Sequence, residues 1–260
     1  MSDVNTRFRK RIGIPNDTVI KFENLDTVLE KTSLALPFEN LCIIEGRAAE
    51  ITKENLLKKI VDRNEGGLCY ELNTILYLFL RENGFDISLV RGVVYEQAGQ
   101  QWSKTGKTHV TNLVTVDGAQ YLVDTGFGGN IPLTPVPLTG EMVHSSNGEF
   151  RVEQEKSDHG DYIFYVKLKH RDKEWRIGYA FDSNDVIKNH EDLTAIQKII
   201  TAHPDSAFNK KPLVTRLTAT GNKTLTETSF TEWDNGKMEK QEMTKELFKV
   251  IAEEQFGLKI

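Results

Sequence analysis

The chain has 260 residues, of which 38% are hydrophobic, and a formal net charge of −5 at pH 7. This length predicts about two or three subdomains with ordinary packed cores. The acidic balance excludes an extended nucleic-acid surface, because phosphate binding needs a basic face. There is no run of about 18 apolar residues, and the amino terminus lacks the basic and then apolar order of a signal peptide. We therefore expect a soluble, cytoplasmic protein that binds no membrane. The sequence does not predict an oligomeric state.

Residues 1 to about 84 are predicted to be helical from the spacing of their apolar residues. Thr52 is placed to cap one helix of this unit. The last helix of the unit is predicted from near Leu68 to Asn83, where Asn83-Gly84 is a stop signal. Cys69 therefore lies in the first turn of that helix.

From residue 87 to about residue 181 the pattern becomes strand-like and predicts a mostly antiparallel sheet or barrel. The predicted strands are 87–95, 109–116, 121–123, 162–169 and 175–181. Beyond them we expect a helix at 192–200, short strands near 213–229 and a closing helix at about 244–255.

The two cysteines, Cys42 and Cys69, are too few for a disulfide framework or a thiolate-rich zinc site. A thiol at a helix N-terminus faces unpaired amides and the positive end of the helix dipole, which favour the thiolate and an oxyanion. Position alone leaves two interpretations of Cys69, a nucleophile or a small core residue. The preceding Gly66-Gly67 pair favours the nucleophile. Cys42 has apolar neighbours and is predicted to be a core residue.

One histidine of the six is placed to act as a base. His109 begins a strand of alternating residues, whereas the others lie among charged or loop-forming neighbours. Asp124 ends an apolar strand, and a hairpin turn at Asp117-Gly118 brings it near His109 across the ladder. Without Cys69, an ordinary strand pair would be the better interpretation. Together the three residues are the parts of a thiolate triad. No metal-ligand spacing occurs, and we expect no metal.

The chain resembles the arylamine N-acetyltransferases in five motifs that follow that family's order. They are Pro37-Phe38-Glu39-Asn40-Leu41, residues 64–73 around Cys69, Thr108-His109-Val110-Thr111-Asn112-Leu113, Val123-Asp124-Thr125-Gly126-Phe127-Gly128 and His203-Pro204-Asp205-Ser206-Ala207-Phe208. The resemblance implies an α+β fold with a papain- or transglutaminase-like arrangement of the triad Cys69, His109 and Asp124. The implied domains are a helical bundle (1–84), a central antiparallel β-barrel (85–188) and an α/β lid (189–260).

The resemblance also implies the reaction. Acetyl-coenzyme A would donate its acetyl group to Cys69, and the resulting thioester would pass it to the nitrogen of an arylamine, arylhydrazine or N-arylhydroxylamine. The positions that match the family's acyl and amine pocket are Phe38, Val94 and Phe127. The positions that match its coenzyme A contacts are Thr105, Gly106 and Phe208.

One motif departs from the family pattern, because Glu65 stands where the family usually has an arginine before Gly-Gly. A carboxylate there changes the sign of the charge beside the nucleophile, and Arg63 is a candidate to compensate. Three alternatives stay open: an amide synthase of the same fold with a larger acyl donor, a cysteine hydrolase, and a ligand-binding relative with a vestigial triad.

Overall fold

The structure is a computed structural model that describes residues 3–260. Met1 and Ser2 belong to the amino terminus that we expected not to be a signal peptide, and they lie outside the described residues. Within 3–260, none of the helices has the length and apolarity that crossing a membrane requires.

The amino-terminal part is helical, as the apolar spacing predicts. The α-helices of the described chain are α1 (Asp3–Ile12), α2 (Leu25–Ala35), α3 (Leu41–Ile44), α4 (Lys53–Leu56), α5 (Cys69–Glu82), α6 (His190–Ala202) and α7 (Lys245–Phe256). Thr52 caps α4, as predicted, because its hydroxyl oxygen accepts the N–H of Asn55. The chain then continues directly into a π-helical turn, Leu57–Asp62, a rare conformation that is frequent near functional sites.

The strands of the described chain are β1 (Phe38–Glu39), β2 (Asp86–Glu96), β3 (Gln101–Trp102), β4 (His109–Val116), β5 (Ala119–Val123), β6 (Val136–Pro137), β7 (Val143–Ser145), β8 (Gly148–Ser157), β9 (Gly160–Leu168), β10 (Arg176–Val186), β11 (Leu213–Thr218), β12 (Gly221–Thr226), β13 (Ser229–Asp234) and β14 (Lys237–Glu242). They form two antiparallel sheets. The larger has the order β6-β5-β4-β2-β10-β9-β8-β7, with β3 paired to β2. It curves into a nearly closed barrel, because β6 also contacts β8. The smaller has the order β1-β11-β12-β13-β14.

Helix α5 is the centre of the helical core and packs against β4 and β2 of the larger sheet. It turns Leu72, Ile75, Leu76 and Phe79 into this core, where all four are buried. Burying a side chain of this kind contributes about 1.5–3 kcal/mol, so α5 is held firmly against the sheet. Its N-terminus lies close to the start of β4 and the end of β5. The helix therefore supports the candidate site directly.

The predicted α+β class is confirmed, with helices first, a barrel-like sheet next and an α/β segment last. The boundaries of the three predicted domains stay a prediction. The smaller sheet joins distant parts of the chain, because Phe38 of β1 pairs with Thr215 of β11.

The sequence missed strands β1, β3, β6, β7, β8, β13 and β14. Of these, β1 lies within the segment that was predicted to be helical, and it forms because its backbone pairs with β11. In β8 only the first half alternates, with Phe150 and Val152 buried, and the rest is charged or polar. Every residue of β14 is exposed, so no apolar face announces it. It forms because its backbone pairs with β13.

Candidate active site

Cys69 is the first residue of α5, and Leu68 is the N-cap, so the prediction of a first-turn position agrees with the structure. The thiol is nearly buried, with 7% of the residue exposed. Its sulfur lies 3.6 Å from the carbonyl oxygen of Thr108, to which the thiol donates. The residue before His109 therefore contacts the candidate nucleophile.

The Gly66-Gly67 pair serves close packing of the protein itself. A Cβ on Gly66 would overlap the carbonyl oxygen of Pro37, and a Cβ on Gly67 would lie 2.7 Å from Oε2 of Glu71. Both residues lack positive φ angles, so the need for glycine here is steric. The turn before the helix is thus fitted tightly against the segment that leads into β1.

His109 and Asp124 are brought together by the β4–β5 hairpin. Asn112 pairs with Val123 across this ladder, which is the register that the turn at Asp117-Gly118 predicts. Nε2 of His109 lies 2.8 Å from Oδ2 of Asp124, and both residues are buried. Because Nε2 bonds to Asp124, Nδ1 is the ring nitrogen of His109 that remains for a different partner.

The electrostatics of the buried pair favour its ionised form. Burial, the largest single cause, lowers the pKa of His109, but the charge of Asp124 and the hydrogen bonds to Asp124 and Cys69 together outweigh it and raise that pKa to about 10. Burial likewise raises the pKa of Asp124, yet the His109 charge and hydrogen bonds from His109, Asn73 and Gly126 lower it overall. At neutral pH the site therefore favours an imidazolium beside a carboxylate.

Three further groups surround the Asp124 carboxylate. Oδ1 accepts the side-chain amide of Asn73 at 2.8 Å and the N–H of Gly126 at 2.7 Å, while Oδ2 accepts the hydroxyl of Tyr179 at 2.8 Å. A carboxylate with this many donors is stabilised in its charged form and fixed in orientation. Sequence reasoning missed Asn73 and Tyr179.

The position of Asn73 near the candidate site could have been predicted from the sequence. It lies four residues after Cys69, on the same face of α5. Its amide nitrogen also donates to Val110 O at 2.7 Å, and its oxygen accepts the N–H of Thr125 at 2.9 Å. The side chain thus ties α5 to both strands of the hairpin. Tyr179 is far away in sequence on β10 and had no local signal.

Aromatic rings enclose the imidazole of His109. Its centroid lies 4.3 Å from that of Tyr179 and 5.2 Å from that of Phe127. The Phe127 ring in turn packs edge-on against Tyr179 at 5.0 Å. These contacts hold the imidazole plane and exclude water from one side of it.

Cys69 and His109 open into one cavity of about 540 Å³. Of the positions predicted to contact substrate or coenzyme, five line it and are Phe38, Val94, Phe127, Thr105 and Phe208. Gly106 does not line this cavity and instead occupies a turn with φ +69° on the adjoining loop. The Phe38 and Phe208 rings meet at 5.6 Å, so the amino-terminal and carboxy-terminal parts of the chain share one wall.

Glu65 is not part of the cavity wall. Its carboxylate accepts Nε of Arg63 at 2.9 Å and Nη2 of Arg63 at 3.0 Å, and Arg47 approaches it at 3.4 Å. The acidic residue before the glycine pair is therefore neutralised by nearby arginines and does not face the space in front of Cys69.

A nearly buried cysteine at a helix N-terminus, beside an imidazole that is oriented by a carboxylate, is typical of enzymes that transfer acyl groups through a cysteine.

Comparison with known proteins identifies one family within this class of enzymes. The sequence model of an N-acetyltransferase family matches residues 21–260. The uncharacterized acetyltransferase YvcN of Bacillus subtilis is 38% identical over 236 residues, which cover 91% of this chain and 90% of that protein.

Solved structures agree with this result. The arylamine N-acetyltransferase NAT3 of Bacillus cereus is 38% identical, has a TM-score of 0.94 and is matched over 100% of both chains. The Mycobacterium marinum arylamine N-acetyltransferase, solved in complex with CoA, is 25% identical with a TM-score of 0.84, over 98% of this chain and 92% of that one. The chain belongs to the arylamine N-acetyltransferase family, and it is accordingly an acetyl-CoA-dependent acyltransferase.

The carboxylate beside the histidine differs from the one that is named for a relative. The Bacillus cereus enzyme is described as having a unique Cys-His-Glu catalytic triad. In the present chain the carboxylate that bonds to His109 is an aspartate, Asp124.

Proposed function

We propose that this chain transfers the acetyl group of acetyl-coenzyme A to the nitrogen of an arylamine, arylhydrazine or N-arylhydroxylamine by a ping-pong mechanism, with Cys69 as nucleophile, His109 as acid and base, and Asp124 as the group that orients His109. One observation carries the proposal. Cys69 and His109, whose ring bonds to the buried Asp124, open into the same cavity, and Phe38 and Phe127 form part of its wall.

In the first half-reaction, the proton shared by the Cys69–His109 pair rests on His109 as the imidazolium, and the Cys69 sulfur attacks the carbonyl carbon of the acetyl thioester. A new C–S bond forms to Cys69, the C–S bond to coenzyme A breaks, and the departing sulfur takes the proton from the imidazolium. The raised pKa of His109 supports this step, because a stable imidazolium favours the thiolate beside it.

In the second half-reaction, the amine nitrogen attacks the acetyl carbon held on Cys69. The C–N bond forms, the C–S bond breaks, and His109 takes the surplus proton of the nitrogen and returns it to the Cys69 sulfur. The N–H of Cys69 or Tyr70, at the start of α5 where amides have no partner within the helix, would stabilise the oxyanion that forms in both halves.

The cavity has two kinds of wall that suit the two substrates. Phe127 and Phe38 offer flat apolar surfaces for an arene. The loop before β4 offers hydroxyl groups, since Ser103, Thr105 and Thr108 form a hydrogen-bonded chain with 3.0 Å between successive oxygens. We propose that the pantetheine arm passes along this loop and beside Phe208, with Gly106 shaping the loop. A relative that binds CoA on the same fold supports this proposal.

Intact-protein mass spectrometry tests the proposal. Mixed with acetyl-coenzyme A and no amine, the wild-type chain and its matched control Cys42→Ala should each gain one acetyl group, whereas Cys69→Ala should gain none. A simple aniline should then remove the adduct and yield its N-acetyl derivative. An adduct that disappears in water without amine would contradict the proposal and indicate a hydrolase. An alkylatable Cys69 that forms no adduct would contradict acetyl-coenzyme A as the donor.

A further inference from the structure

A second cluster of charged side chains adjoins the turn that precedes Cys69. Lys59, Glu39 and Glu71 are 6%, 1% and 3% exposed. The ammonium of Lys59 lies 2.7 Å from Oε1 of Glu71 and 3.3 Å from Oε1 of Glu39. Its third neighbour is the sulfur of Cys42, at 3.1 Å. Lys59 is supplied by the π-helical turn Leu57–Asp62. None of these side chains lines the cavity of the candidate site.

Glu71 connects this cluster to the start of α5. Its Oε2 accepts the N–H of Leu68, the N-cap residue, at 3.0 Å, and a Cβ on Gly67 would lie 2.7 Å from the same oxygen. One carboxylate oxygen therefore fixes the turn before Cys69, and the other bonds to Lys59. A displacement of the Glu71 side chain would therefore also displace the turn before Cys69.

Glu39 connects the cluster to the other side of the same turn. Its own N–H donates to the carbonyl of Gly67 at 3.0 Å, and the N–H of Gly67 donates to the carbonyl of Pro37 at 3.2 Å. Its Oε2 accepts the N–H of Leu41 at 2.6 Å. The residue between Pro37 and Glu39 is Phe38, a wall of the cavity. The cluster thus borders both the nucleophile and the proposed arene surface.

The charges explain why a cation is required at this place. Two carboxylates and one ammonium are buried together, and burial raises the pKa of Glu71. Burial, the largest single cause, lowers the pKa of Lys59, but the charges of Glu39, Glu71 and Cys42 and the hydrogen bond to Glu71 together raise the pKa overall. Without Lys59 the two buried carboxylates would face each other uncompensated, and such groups repel or take up protons.

We propose that Lys59 is a positioning residue of the acyl transfer, which acts through Glu71 and Glu39 to hold the turn Gly66–Cys69 in place and so sets the Cys69 sulfur against His109. The inference rests on the proposed role of Cys69 as nucleophile. It assigns to Lys59 the bracing that Arg63 was expected to supply. Arg63 instead pairs with Glu65 near the surface.

The rate of alkylation of Cys69 by iodoacetamide tests this role, with peptide mass mapping to separate the two thiols. Burial raises the pKa of the Cys42 thiol to about 12, so Cys42 should react slowly. The variants are Lys59→Met, which removes the charge, and Lys59→Arg, which keeps it. The matched control is Arg9→Met, since Arg9 is also a buried cation, 3% exposed, whose partners are Asn5, Pro15, Thr18 and, at the end of α5 opposite to Cys69, Asn83.

We expect Lys59→Met to lower both the alkylation rate of Cys69 and kcat about tenfold or more, with little change in KM for acetyl-coenzyme A. Small displacements of a reacting group have effects of this size. Lys59→Arg should restore most of the rate, and Arg9→Met should keep the wild-type rate even if its Tm falls. A folded Lys59→Met chain with the wild-type alkylation rate would overturn the proposal.

If Lys59→Met does not fold, Glu71→Gln gives the same test. It removes the charge partner of Lys59 and keeps an oxygen for the N–H of Leu68. A slower alkylation supports the proposal and an unchanged rate overturns it. Failure of the proposed role of Cys69 as nucleophile looks different, because Cys69 of the wild-type chain would then react no faster than Cys42. Failure of acetyl-coenzyme A as the donor would leave Cys69 reactive and would appear in the acetylation experiment alone.

Discussion

The charge of Asp124 should control the protonation state of His109, and Asp124→Asn tests this. The substitution keeps the size of the side chain and one oxygen acceptor for Asn73 and Gly126 but removes the charge. Burial, which lowers the pKa of His109, would then act without the opposing carboxylate. We expect an imidazole that is neutral at pH 7 in the variant and protonated in the wild type.

The magnitude follows from the raised pKa. The step from the ordinary value of 6.5 to about 10 corresponds to about 5 kcal/mol of preference for the protonated ring. Loss of a buried, orienting carboxylate from a triad lowers kcat by about 10⁴-fold in a well-studied hydrolase. We therefore expect kcat/KM of this chain to fall about 10³- to 10⁴-fold.

The assay is an NMR titration of chains labelled with ¹⁵N-histidine, followed by steady-state kinetics. His109→Gln identifies the resonance. Asp161→Asn is the matched control, because Asp161 also accepts two hydrogen bonds, from the backbone and hydroxyl of Ser183, but does not line the cavity. If His109 of Asp124→Asn still titrates near pH 10, or if the variant keeps wild-type kcat/KM, the reasoning is refuted.

Three further predictions concern the candidate site and its surroundings. Tyr179→Phe removes one donor to Asp124, which costs about 1.5–3 kcal/mol for a hydrogen bond to a charged group, and should lower both Tm and kcat. Gly126→Ala would place a Cβ 2.7 Å from the Cα of Cys69, so we expect a lower Tm and little activity, whereas the same change at Gly129, where a Cβ meets nothing within 4 Å, should be tolerated. Because the folded pKa of His109 is raised, its pairing stabilises the fold fully below pH 6.5 and less as the pH rises towards about 10. The difference in unfolding free energy between the wild type and His109→Gln, measured by urea titration, should shrink over that range, and a constant difference would contradict the assignment.

The parts of the site that could be predicted from sequence are those with a local pattern. Helix α5 has a stop signal and an apolar face, and the β4–β5 hairpin has a turn that sets its register, so Cys69, His109 and Asp124 could be placed before the structure was known. The structure agrees with that placement. Their catalytic roles stay a proposal that rests on the chemistry of the three side chains.

The remaining parts of the site depend on contacts between distant segments. Tyr179 reaches Asp124 from β10, and nothing in its neighbours along the chain indicates that it does so. Lys59 looks in sequence like a charged residue of a surface helix, but the π-helical turn carries its ammonium inward to two carboxylates. Charge alone predicts exposure for such a residue. Only the positions of its partners make burial possible.

The turn before Cys69 is where these distant contacts meet, and that explains its glycines. The backbone of Pro37 approaches Gly66, the carboxylate of Glu71 approaches Gly67, and Gly126 approaches Cys69 from the hairpin, each so closely that a Cβ would collide. A flexible turn would gain from glycine through freedom at positive φ, but none of these three glycines uses it. They instead remove side chains, so that Pro37 and Glu71 can pack against the turn and the hairpin can pack against the backbone of Cys69. Because glycine allows this close packing, the turn is held rigidly. Rigid positioning is what the proposed reaction between the Cys69 sulfur and His109 requires.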